Sequence, residues 1–396
     1  MKYEFSHRMS TIQPSAIREI LKATADPQMM SFAGGNPSPE AFPVKEIEKI
    51  SANLLHNEPI SVLQYGITEG DKELIEACIH FVNRHEKNYK NQDKMLITSG
   101  SQQIMEFAAK CLCDEGDVIV CENPSFLGAL NSFKSVGAVL KGIDYCDGQL
   151  DINALEKVLQ NESRVKFIYL IPNFQNPTGL TMSLEVRKQV LALAKKYQVL
   201  ILEDNPYGDL RFEGEAIPSM KSLDEDGLVI YAASLSKIIA PGMRIACCIA
   251  PTEIIEKFVV AKQANDVHSN LWAQRVMAKY LNDYDIEKHI TYIQSLYKEK
   301  CEYMLSEMKK TFHPDVKYTI PTGGMFIWAT LPNDVNMQHF VKEALKQKVA
   351  VVPGNAFYVD SGKECHSFRL NYSTPSKEKI KEGIRILGEL TYLMHK

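Results

Sequence analysis

The stretch LVIYAASLSKIIAPGMR, residues 228–244, decides the fold. Its first seven residues are mostly apolar and predict a buried strand. Lys237 follows the end of that strand, and a Pro-Gly break and Arg244 come after the lysine. Because burying an ammonium group is costly, a lysine at the end of a core strand indicates chemistry rather than packing.

Short apolar runs of this kind recur along the chain, as KMLITSG, DVIVCE, FIYLIPN, VLILED, LVIYAAS and RIACCIA. Helical stretches such as residues 71–87 and 183–198 separate them. The alternation predicts a mostly parallel α/β sheet that is covered by helices. A long charged helix and further strands after residue 285 predict a smaller α+β domain. We expect a large domain over 50–285, a small domain over 286–396, and an N-terminal helix and loop over 1–49 that join the small domain.

Composition is that of an ordinary globular protein. The chain has 396 residues and a formal net charge of −4, so nothing indicates a nucleic acid or an anionic membrane as partner. No apolar run approaches the roughly 20 residues that a transmembrane helix needs. Nine cysteines without a C-x-x-C pair predict reduced thiols and no metal site. The N-terminus lacks the layout of a secretion signal, so we expect a cytoplasmic protein.

Polar side chains follow the predicted strands. Ligands of open α/β sheets gather beyond the carboxyl ends of the strands, so these side chains are expected to share one crevice. Each of them could be only a helix cap, a turn residue or a solvated charge, but together they indicate a ligand site. They are Ser101, Gln102, Phe126, Asn176, Asp204, Tyr207, Ser234, Ser236, Lys237 and Arg244.

Pyridoxal 5'-phosphate accounts for the whole set. Its aldehyde needs a primary amine, which Lys237 can supply as a Schiff base, and its ring nitrogen stays protonated beside a buried carboxylate such as Asp204. Tyr207 and Asn176 can hydrogen-bond the 3'-oxygen of the ring, and Phe126 can stack on the ring. The phosphate can be shared by the remaining polar residues, which are Ser101, Gln102, Ser234, Ser236 and Arg244.

A further arginine is a candidate handle for the substrate. Arg369 is the single charged residue of the predicted strand SFRLNYS. Its planar fork matches an α-carboxylate in a bidentate pair, and a surface salt bridge is the alternative explanation. We favour carboxylate binding, because amino acids and 2-oxo acids all carry that group.

The motifs GSQQ, FQNPTG, EDNPYGDL, SLSKIIAPGMR and FRLNYS occur in this order. On these motifs the chain resembles class I/II aminotransferases of the fold-type I pyridoxal-phosphate enzymes, over essentially its whole length. The branch with 2-aminoadipate and kynurenine aminotransferases looks closest, and it also supplies the sensor domains of MocR-type regulators. The resemblance implies a large domain with a mostly parallel seven-stranded sheet, and it gives the residues above the same roles. Phe126 stands where tyrosine is frequent, which removes a hydroxyl and keeps the ring face.

Further residues enter through the resemblance alone. Tyr65 in LQYGITEG matches a tyrosine that reaches the phosphate of the neighbouring subunit, which implies a homodimer with shared sites. Gly35 in FAGGNP matches a loop glycine near the substrate carboxylate, and Asn176 is expected beside it. Arg18 lies in the N-terminal helix that borders the substrate side chain in that branch, so it is a candidate partner for a distal carboxylate; an exposed helix charge is the alternative.

The resemblance implies ping-pong transfer of an amino group from an L-amino acid to a 2-oxo acid, with 2-oxoglutarate as the expected acceptor. Possible donors are 2-aminoadipate, glutamate, and aromatic or branched-chain amino acids. A pyridoxal-phosphate-dependent C–S lyase or decarboxylase could use the same anchoring residues. A non-enzymatic sensor domain of a regulator is a further alternative. It calls for a basic helix-turn-helix at the N-terminus, and the aminotransferase pattern here starts within about the first 20 residues.

Overall fold

The structure is a computed structural model that describes residues 3–10 and 26–395. In chain order, its strands are β1 (Met30–Ser31), β2 (Asp93–Thr98), β3 (Val118–Asn123), β4 (Val139–Cys146), β5 (Gln149–Leu150), β6 (Val165–Leu170), β7 (Leu200–Asn205), β8 (Val229–Ser234), β9 (Ala246–Pro251), β10 (Lys317–Tyr318), β11 (Phe326–Thr330), β12 (Val349–Ala350), β13 (Val352–Pro353) and β14 (Ser367–Asn371).

Its described α-helices, again in chain order, are α1 (His7–Ser10), α2 (Val44–Asn57), α3 (Pro59–Leu63), α4 (Lys72–Val82), α5 (Ser101–Leu112), α6 (Leu127–Ser135), α7 (Ile152–Asn161), α8 (Leu184–Tyr197), α9 (Met220–Leu223), α10 (Thr252–Gln263), α11 (Leu271–Asp283), α12 (Ile286–Thr311), α13 (Met337–Lys346) and α14 (Lys377–Met394). None of these described helices is both long enough and apolar enough to cross a membrane.

The large sheet has the strand order β2-β9-β8-β7-β6-β3-β4-β5. Strand β9 runs antiparallel to both of its neighbours, β5 runs antiparallel to β4, and the other pairs are parallel. The predicted sheet of seven mostly parallel strands is confirmed, and the two-residue β5 adds an eighth strand at one edge.

The strands read as continuous apolar runs because both faces of the sheet are covered. Successive side chains of a strand point to opposite faces. In β6, Phe167 and Tyr169 accordingly join one hydrophobic core, while Ile168 and Leu170 join the other. Asp204 follows Leu202 of the first core by two residues, so the carboxylate lies on the same face as Tyr169.

The long predicted helices begin at side-chain caps. Asp71 accepts a hydrogen bond from Leu74 N at the start of α4, and Asp285 accepts one from Lys288 N at the start of α12. Helix α8 has Ser183 as its N-cap and Gln198 as its C-cap, and Gln198 adopts the left-handed conformation with φ of +53°. These caps satisfy backbone groups that a helix end leaves free.

A second, antiparallel sheet has the order β10-β11-β14-β13. Helix α12 packs against α14 beside it. Strand β1 pairs in parallel with β12, and Met30 lies opposite Val349. This pairing ties the segment after residue 26 to the C-terminal part of the chain.

Candidate active site

A cavity of about 420 Å³ lies beyond the carboxyl ends of β6, β7 and β8. Twelve of the fourteen predicted site residues line it, and those that follow strands of the large sheet meet here because the carboxyl ends of parallel strands share one edge. They are Gly35, Ser101, Gln102, Phe126, Asn176, Asp204, Tyr207, Ser234, Ser236, Lys237, Arg244 and Arg369.

Lys237 enters the cavity from the turn that follows β8. Its Nζ donates a hydrogen bond to the carbonyl oxygen of Gly35, at 2.8 Å. Burial lowers the pKa of Lys237 to about 8, and the positive charges of Arg369 and Arg244 also lower it, while Asp204 opposes the shift. The amine is therefore unprotonated far more often near neutral pH than that of an ordinary lysine, which makes it a nucleophile and a base.

Asp204 ends β7 with its carboxylate buried in the wall of the cavity. The hydroxyl of Tyr169 donates to Oδ2 at 2.9 Å, whereas Oδ1 is buried and has no hydrogen-bond partner. Burial raises the pKa of Asp204 to about 7, against the hydrogen bond from Tyr169 and the charge of Lys237. A buried acceptor without a donor is rare, and a protonated ring nitrogen bound in the cavity would supply one.

Arg369, in β14 of the smaller sheet, also lines the cavity. Its Nη1 donates to Asn176 Oδ1 and its Nη2 to the carbonyl oxygen of Ala33, each at 2.7 Å. The guanidinium stacks over Phe326 and Phe357, with its carbon 4.3 and 4.9 Å from the two ring centroids. Burial lowers the pKa of Arg369 to about 10, so the group stays charged at neutral pH.

The alternative explanation of Arg369 as a surface salt bridge is wrong. Its side chain is buried, and no carboxylate pairs with it in the part of the chain that the structure describes. Its Nε is buried without a partner. A fixed, desolvated guanidinium with unused donor capacity is suited to a carboxylate of a bound ligand.

Asn176 and Tyr207 lie between Lys237 and Arg369. The amide nitrogen of Asn176 is 3.4 Å from the hydroxyl of Tyr207, and its oxygen already accepts from Arg369. Burial raises the pKa of Tyr207, so the phenol keeps its proton. The hydroxyl can donate to a ring oxygen, and Asn176 connects it to the guanidinium.

The start of α5 forms one end of the cavity. Gly100 precedes the helix with φ of +80°, and a Cβ atom at this position would overlap Nη2 of Arg244. The first N–H groups of a helix have no partner within the helix, and they attract anions. Ser101 and Gln102 offer such groups here. The side-chain amide of Gln102 is directed elsewhere, because it donates to Gly128 O at 2.7 Å and to Ser132 Oγ at 2.6 Å.

Ser234, Ser236 and Arg244 complete this end of the cavity. The backbone N–H of Ser236 donates to Ser234 Oγ at 3.3 Å. Arg244 has φ of +56°, and its guanidinium donates to the carbonyl oxygens of Pro241 at 3.2 Å and Ser99 at 3.3 Å. Among the described residues, Arg244 forms no ion pair, so its charge is available to an anion at the start of α5.

Apolar groups close the cavity between its polar ends. Phe126 precedes α6 and packs so closely on Gly128 that a Cβ atom there would lie 2.5 Å from the ring. Leu127, Ile171 and Phe357 add further apolar surface to the lining. This surface can hold an aromatic ring and an apolar substrate side chain.

Among the described residues, Tyr65 is the predicted site residue that does not line the cavity. Tyr65 is 81% exposed, and its ring meets His268 edge-on at 5.7 Å between centroids. Arg18 lies outside the described residues.

Sequence reasoning missed three residues that hold this site together. Tyr169 orients Asp204, and Phe326 and Phe357 flank Arg369. The period of two along a strand could have placed Tyr169 on the face of Asp204. The two phenylalanines read as ordinary core residues, and no local pattern distinguishes them.

Comparison with known proteins gives the family. Residues 27–387 match the family "Aminotransferase class I and II". The chain is 38% identical to aromatic-amino-acid aminotransferase 1 of Thermococcus litoralis, over 97% of this chain and 93% of that protein. It is 36% identical to 2-aminoadipate transaminase of Thermus thermophilus, over 97% of this chain and 95% of that protein.

The fold is also that of a solved aminotransferase. A Pyrococcus horikoshii kynurenine aminotransferase, solved in complex with PMP, superposes with a TM-score of 0.94. It is 36% identical, and the match covers 99% of this chain and 98% of that one. The chain belongs to the class I and II aminotransferases. It is an enzyme of that class with pyridoxal 5'-phosphate as cofactor, and both predictions are confirmed.

Proposed function

We propose that this cavity carries out ping-pong transamination, with Lys237 as its central catalytic residue. The proposal depends most on one observation: Asp204, which lines the same cavity as Lys237, has a buried Oδ1 without a hydrogen-bond partner. When bound, the cofactor supplies an aldehyde that takes up the amino group and a ring that withdraws electrons from the substrate's α-carbon. All other tasks fall to side chains of this chain.

Lys237 has two tasks in this proposal. Its amine holds the cofactor's aldehyde before the substrate arrives, and it then removes the proton from the α-carbon as a general base. Asp204 keeps the ring nitrogen protonated, and Tyr169 fixes the carboxylate for that task. Tyr207 and Asn176 hydrogen-bond the 3'-oxygen of the ring.

The other lining residues bind and position. The start of α5 with Ser101 and Gln102, together with Ser234, Ser236 and Arg244, binds the phosphate through N–H groups, hydroxyls and one guanidinium. Phe126 stacks on the ring. Arg369 binds the α-carboxylate of the substrate next to Gly35 and Asn176.

We propose an aromatic or another large apolar L-amino acid as the amino donor. Leu127 and Phe357 offer apolar surface near Arg369. Relatives named for aromatic amino acids, 2-aminoadipate and kynurenine support a donor of that size. Lys237, Arg244 and Arg369 are the cations in the described lining, and all three already have a task.

The second carboxylate of glutamate or 2-oxoglutarate therefore needs a cation from outside the described lining, and Arg18 is our candidate. Arg18→Ala should lower kcat/KM for glutamate and 2-aminoadipate by about tenfold, the effect of losing one charged hydrogen bond. It should leave kcat/KM for phenylalanine nearly unchanged. An equal loss for both kinds of donor would contradict this role.

The chain is further proposed to form a homodimer in the cytoplasm, with Tyr65 reaching the partner's phosphate. Ile60, Leu63, Tyr65 and Ile67 are all more than 60% exposed, which is an unusually apolar surface for one short segment. We also propose the division into 1–49, 50–285 and 286–396. The pairing of β1 with β12 supports assigning the N-terminal segment to the C-terminal part, although helix α2 crosses the boundary at residue 49.

A half-reaction tests the proposed function. Enzyme loaded with cofactor and given a donor without an acceptor should release about one 2-oxo acid per site and stop, and adding 2-oxoglutarate should restart turnover. Continuous release of ammonia or carbon dioxide without an acceptor would favour a lyase or a decarboxylase. Lys237→Ala should bind the cofactor without measurable turnover.

A further inference from the structure

The fully buried Lys262 lies near the start of α5, which is the end of the cavity that we propose binds the phosphate. The lysine itself does not line the cavity. Lys262 in α10 is 0% exposed. Its Nζ is 2.8 Å from Asp266 Oδ1, 2.9 Å from Gln103 Oε1 and 3.0 Å from Ser269 Oγ. Lysine is almost never fully buried unless it is paired, so this cluster is a costly arrangement that calls for an explanation.

The cluster holds Ser99, the residue before the glycine that opens α5. The Ser99 hydroxyl donates to Asp266 Oδ2 at 2.6 Å, and the Ser99 N–H donates to Gln103 Oε1 at 3.0 Å. The Ser99 carbonyl oxygen accepts from Arg244 Nη2 at 3.3 Å. The ion pair of the buried Lys262 with the half-buried Asp266 therefore fixes both the start of α5 and the guanidinium that faces it.

The turn that carries Asp266 also contacts Tyr65. In this turn, Val267 has φ of +66°, an uncommon conformation for a β-branched residue. The next residue, His268, accepts a hydrogen bond from Gly66 N at 3.3 Å and meets the Tyr65 ring edge-on. Its other ring nitrogen is 2.8 Å from the carbonyl oxygen of Ser269, which places the proton on Nδ1. The turn thus contacts both Ser99, before the start of α5, and the exposed segment around Tyr65.

We propose that Lys262 and Asp266 are positioning residues for the cofactor's phosphate, and that their turn sets the place of Tyr65 as well. The proposal rests on the function proposed above and adds two residues that touch neither cofactor nor substrate. Lys262 forms an ion pair with Asp266, and Asp266 accepts the hydrogen bond of the Ser99 hydroxyl. The backbone of Ser99 in turn bonds to Gln103 in α5 and to Arg244.

The charges of the pair support this arrangement. Burial alone would raise the pKa of Asp266, but hydrogen bonds from Lys262, Ser99 and Gln103 lower it below its usual value. Asp266 is therefore ionised and needs its cation. Lys262→Met keeps the length and apolar character of the side chain and removes the ammonium, so Asp266 would take up a proton or turn towards water. In either case Ser99 loses its fixed acceptor.

The phosphate contribution can be measured by comparing two ligands. Apoenzyme is titrated with pyridoxal 5'-phosphate and with pyridoxal, which carries the aldehyde and ring but no phosphate, and binding is followed by ligand absorbance. Lys262→Met should weaken binding of pyridoxal 5'-phosphate about tenfold, which corresponds to about 1.4 kcal/mol. Binding of pyridoxal should change little, so the ratio of the two affinities falls.

Lys221 provides a matched control. It is also 0% exposed, and its Nζ pairs with Asp93 at 2.9 Å and donates to Val229 O at the opposite end of β8. Lys221→Met makes the same chemical change and should lower stability while the affinity ratio stays as in wild type. Ser99→Ala is a milder change that should leave the protein folded even if Lys262→Met does not fold. It should also lower the affinity ratio.

The outcomes separate this inference from the proposed function. If wild type binds neither ligand, the proposed function itself fails. If wild type binds both and the Lys262→Met and Ser99→Ala proteins keep the wild-type ratio, the positioning role is wrong. The positioning role would also be wrong if the ratio of the two affinities fell equally in the Lys221→Met protein. The loss would then be a general effect of removing a buried cation.

The link to Tyr65 has its own test in a double-mutant cycle. Tyr65→Phe removes the hydroxyl predicted to reach the phosphate. If the turn sets the place of Tyr65, this change should weaken binding of pyridoxal 5'-phosphate less in the Lys262→Met protein than in wild type. Strictly additive losses would contradict the link.

Discussion

Three buried side chains at the site have pKa values moved toward neutrality by their surroundings. Burial lowers the pKa of Lys237 to about 8 and that of Arg369 to about 10, and it raises that of Asp204 to about 7. A side chain that only packs has no reason to be buried at this cost. Perturbed groups that share one cavity mark a functional site, and the lowered pKa of Lys237 favours the unprotonated amine that the proposed task needs.

Asp204→Asn tests the carboxylate. The amide keeps the shape but cannot hold a protonated nitrogen as a counter-ion, so kcat/KM should fall by about 100-fold or more, at saturating cofactor. Tyr169→Phe keeps the charge and loses one hydrogen bond, so its effect should be smaller, about tenfold.

The neighbouring Glu203 is the control for Asp204. It is equally buried, but it accepts from the backbone N–H groups of Met220 and Lys221 and does not line the cavity. Glu203→Gln should lower stability and leave kcat nearly unchanged. Activity of Asp204→Asn close to that of Glu203→Gln would contradict the role of Asp204.

The rate at which apoenzyme captures the cofactor should depend on pH. The amine of Lys237 attacks only when it is unprotonated, so the rate should rise with pH through a midpoint near the pKa of about 8. The charge of Arg369 helps to lower that pKa, so Arg369→Gln should move the midpoint to higher pH. Stopped-flow absorbance over a pH series gives both midpoints, and a shift to lower pH would contradict the electrostatic account.

The charged residues that line the cavity could be predicted from the sequence, and the residues that support them could not. Lys237, Asp204 and Arg369 are charged residues in or just after apolar strands, which is a local signal. Phe326 and Phe357 are apolar residues in apolar surroundings, and only the tertiary structure shows that they flank a guanidinium. The same holds for Lys262, whose partners lie in helix α5 and in the turn between α10 and α11.

Among the elements, the start of α5 has a backbone conformation that suits the proposed phosphate site. Gly100 adopts φ of +80° with Arg244 against its Cα. Positive φ is easy for glycine and costs other residues about 1 kcal/mol. Both the turn and the approach of the guanidinium therefore require glycine here.

Gly100→Ala should weaken cofactor binding more than it lowers stability. The methyl group would displace Arg244, so the affinity for pyridoxal 5'-phosphate should fall at least about tenfold. Gly116→Ala is the matched control, because Gly116 has a similar φ of +83° and its nearest neighbour, Arg164, lies 3.5 Å from the added atom. Equal cofactor affinity in the two variants would contradict the role of the segment.

The end of α14 is held by an ion pair that depends on pH. His395 lies 2.8 Å from Asp334 through Nδ1 and 3.0 Å from Asp315 through Nε2, and these hydrogen bonds raise its pKa. Since the pKa in the folded state is raised, the stabilisation is complete below the unfolded value of about 6.5 and is lost as pH rises through the folded value.

His395→Gln should thus be less stable than wild type near pH 6 and equally stable near pH 9. Urea unfolding of both proteins at the two pH values measures this difference. A difference that grows with pH would mean that His395 acts through packing and not through its charge.

Elements with a strong hydrophobic pattern were predicted well, and one with a weak pattern was missed. Six strands of the large sheet coincide with apolar runs. Strand β4 was not predicted, because it lies near the edge of the sheet and only Ile143 of its eight residues is buried. The two-residue β5 beside it carries even less signal.

At the scale of the whole molecule, the site as described lacks one predicted contribution. Tyr65 is exposed and lies beside His268, outside the cavity. In the proposed homodimer with shared sites, this tyrosine would reach the partner's phosphate. The same dimer would cover the apolar segment around Tyr65.

Mixing two inactive variants tests the shared site. Tyr65→Ala and Lys237→Ala proteins should each have low activity. After subunit exchange, hybrid dimers contain one site with Lys237 from one chain and Tyr65 from the other, so about a quarter of all sites should be complete. Activity should recover accordingly, and no recovery despite proven exchange would show that Tyr65 acts within its own subunit or not at all.

The central claim is that the ε-amine at position 237 forms the covalent link to the cofactor. Purified protein is incubated with pyridoxal 5'-phosphate, reduced with borohydride, digested, and analysed by peptide mass spectrometry. Cofactor mass is expected on the peptide that contains Lys237, at about one per chain. Attachment to another lysine such as Lys262 or Lys221, or no stable attachment at all, would contradict it.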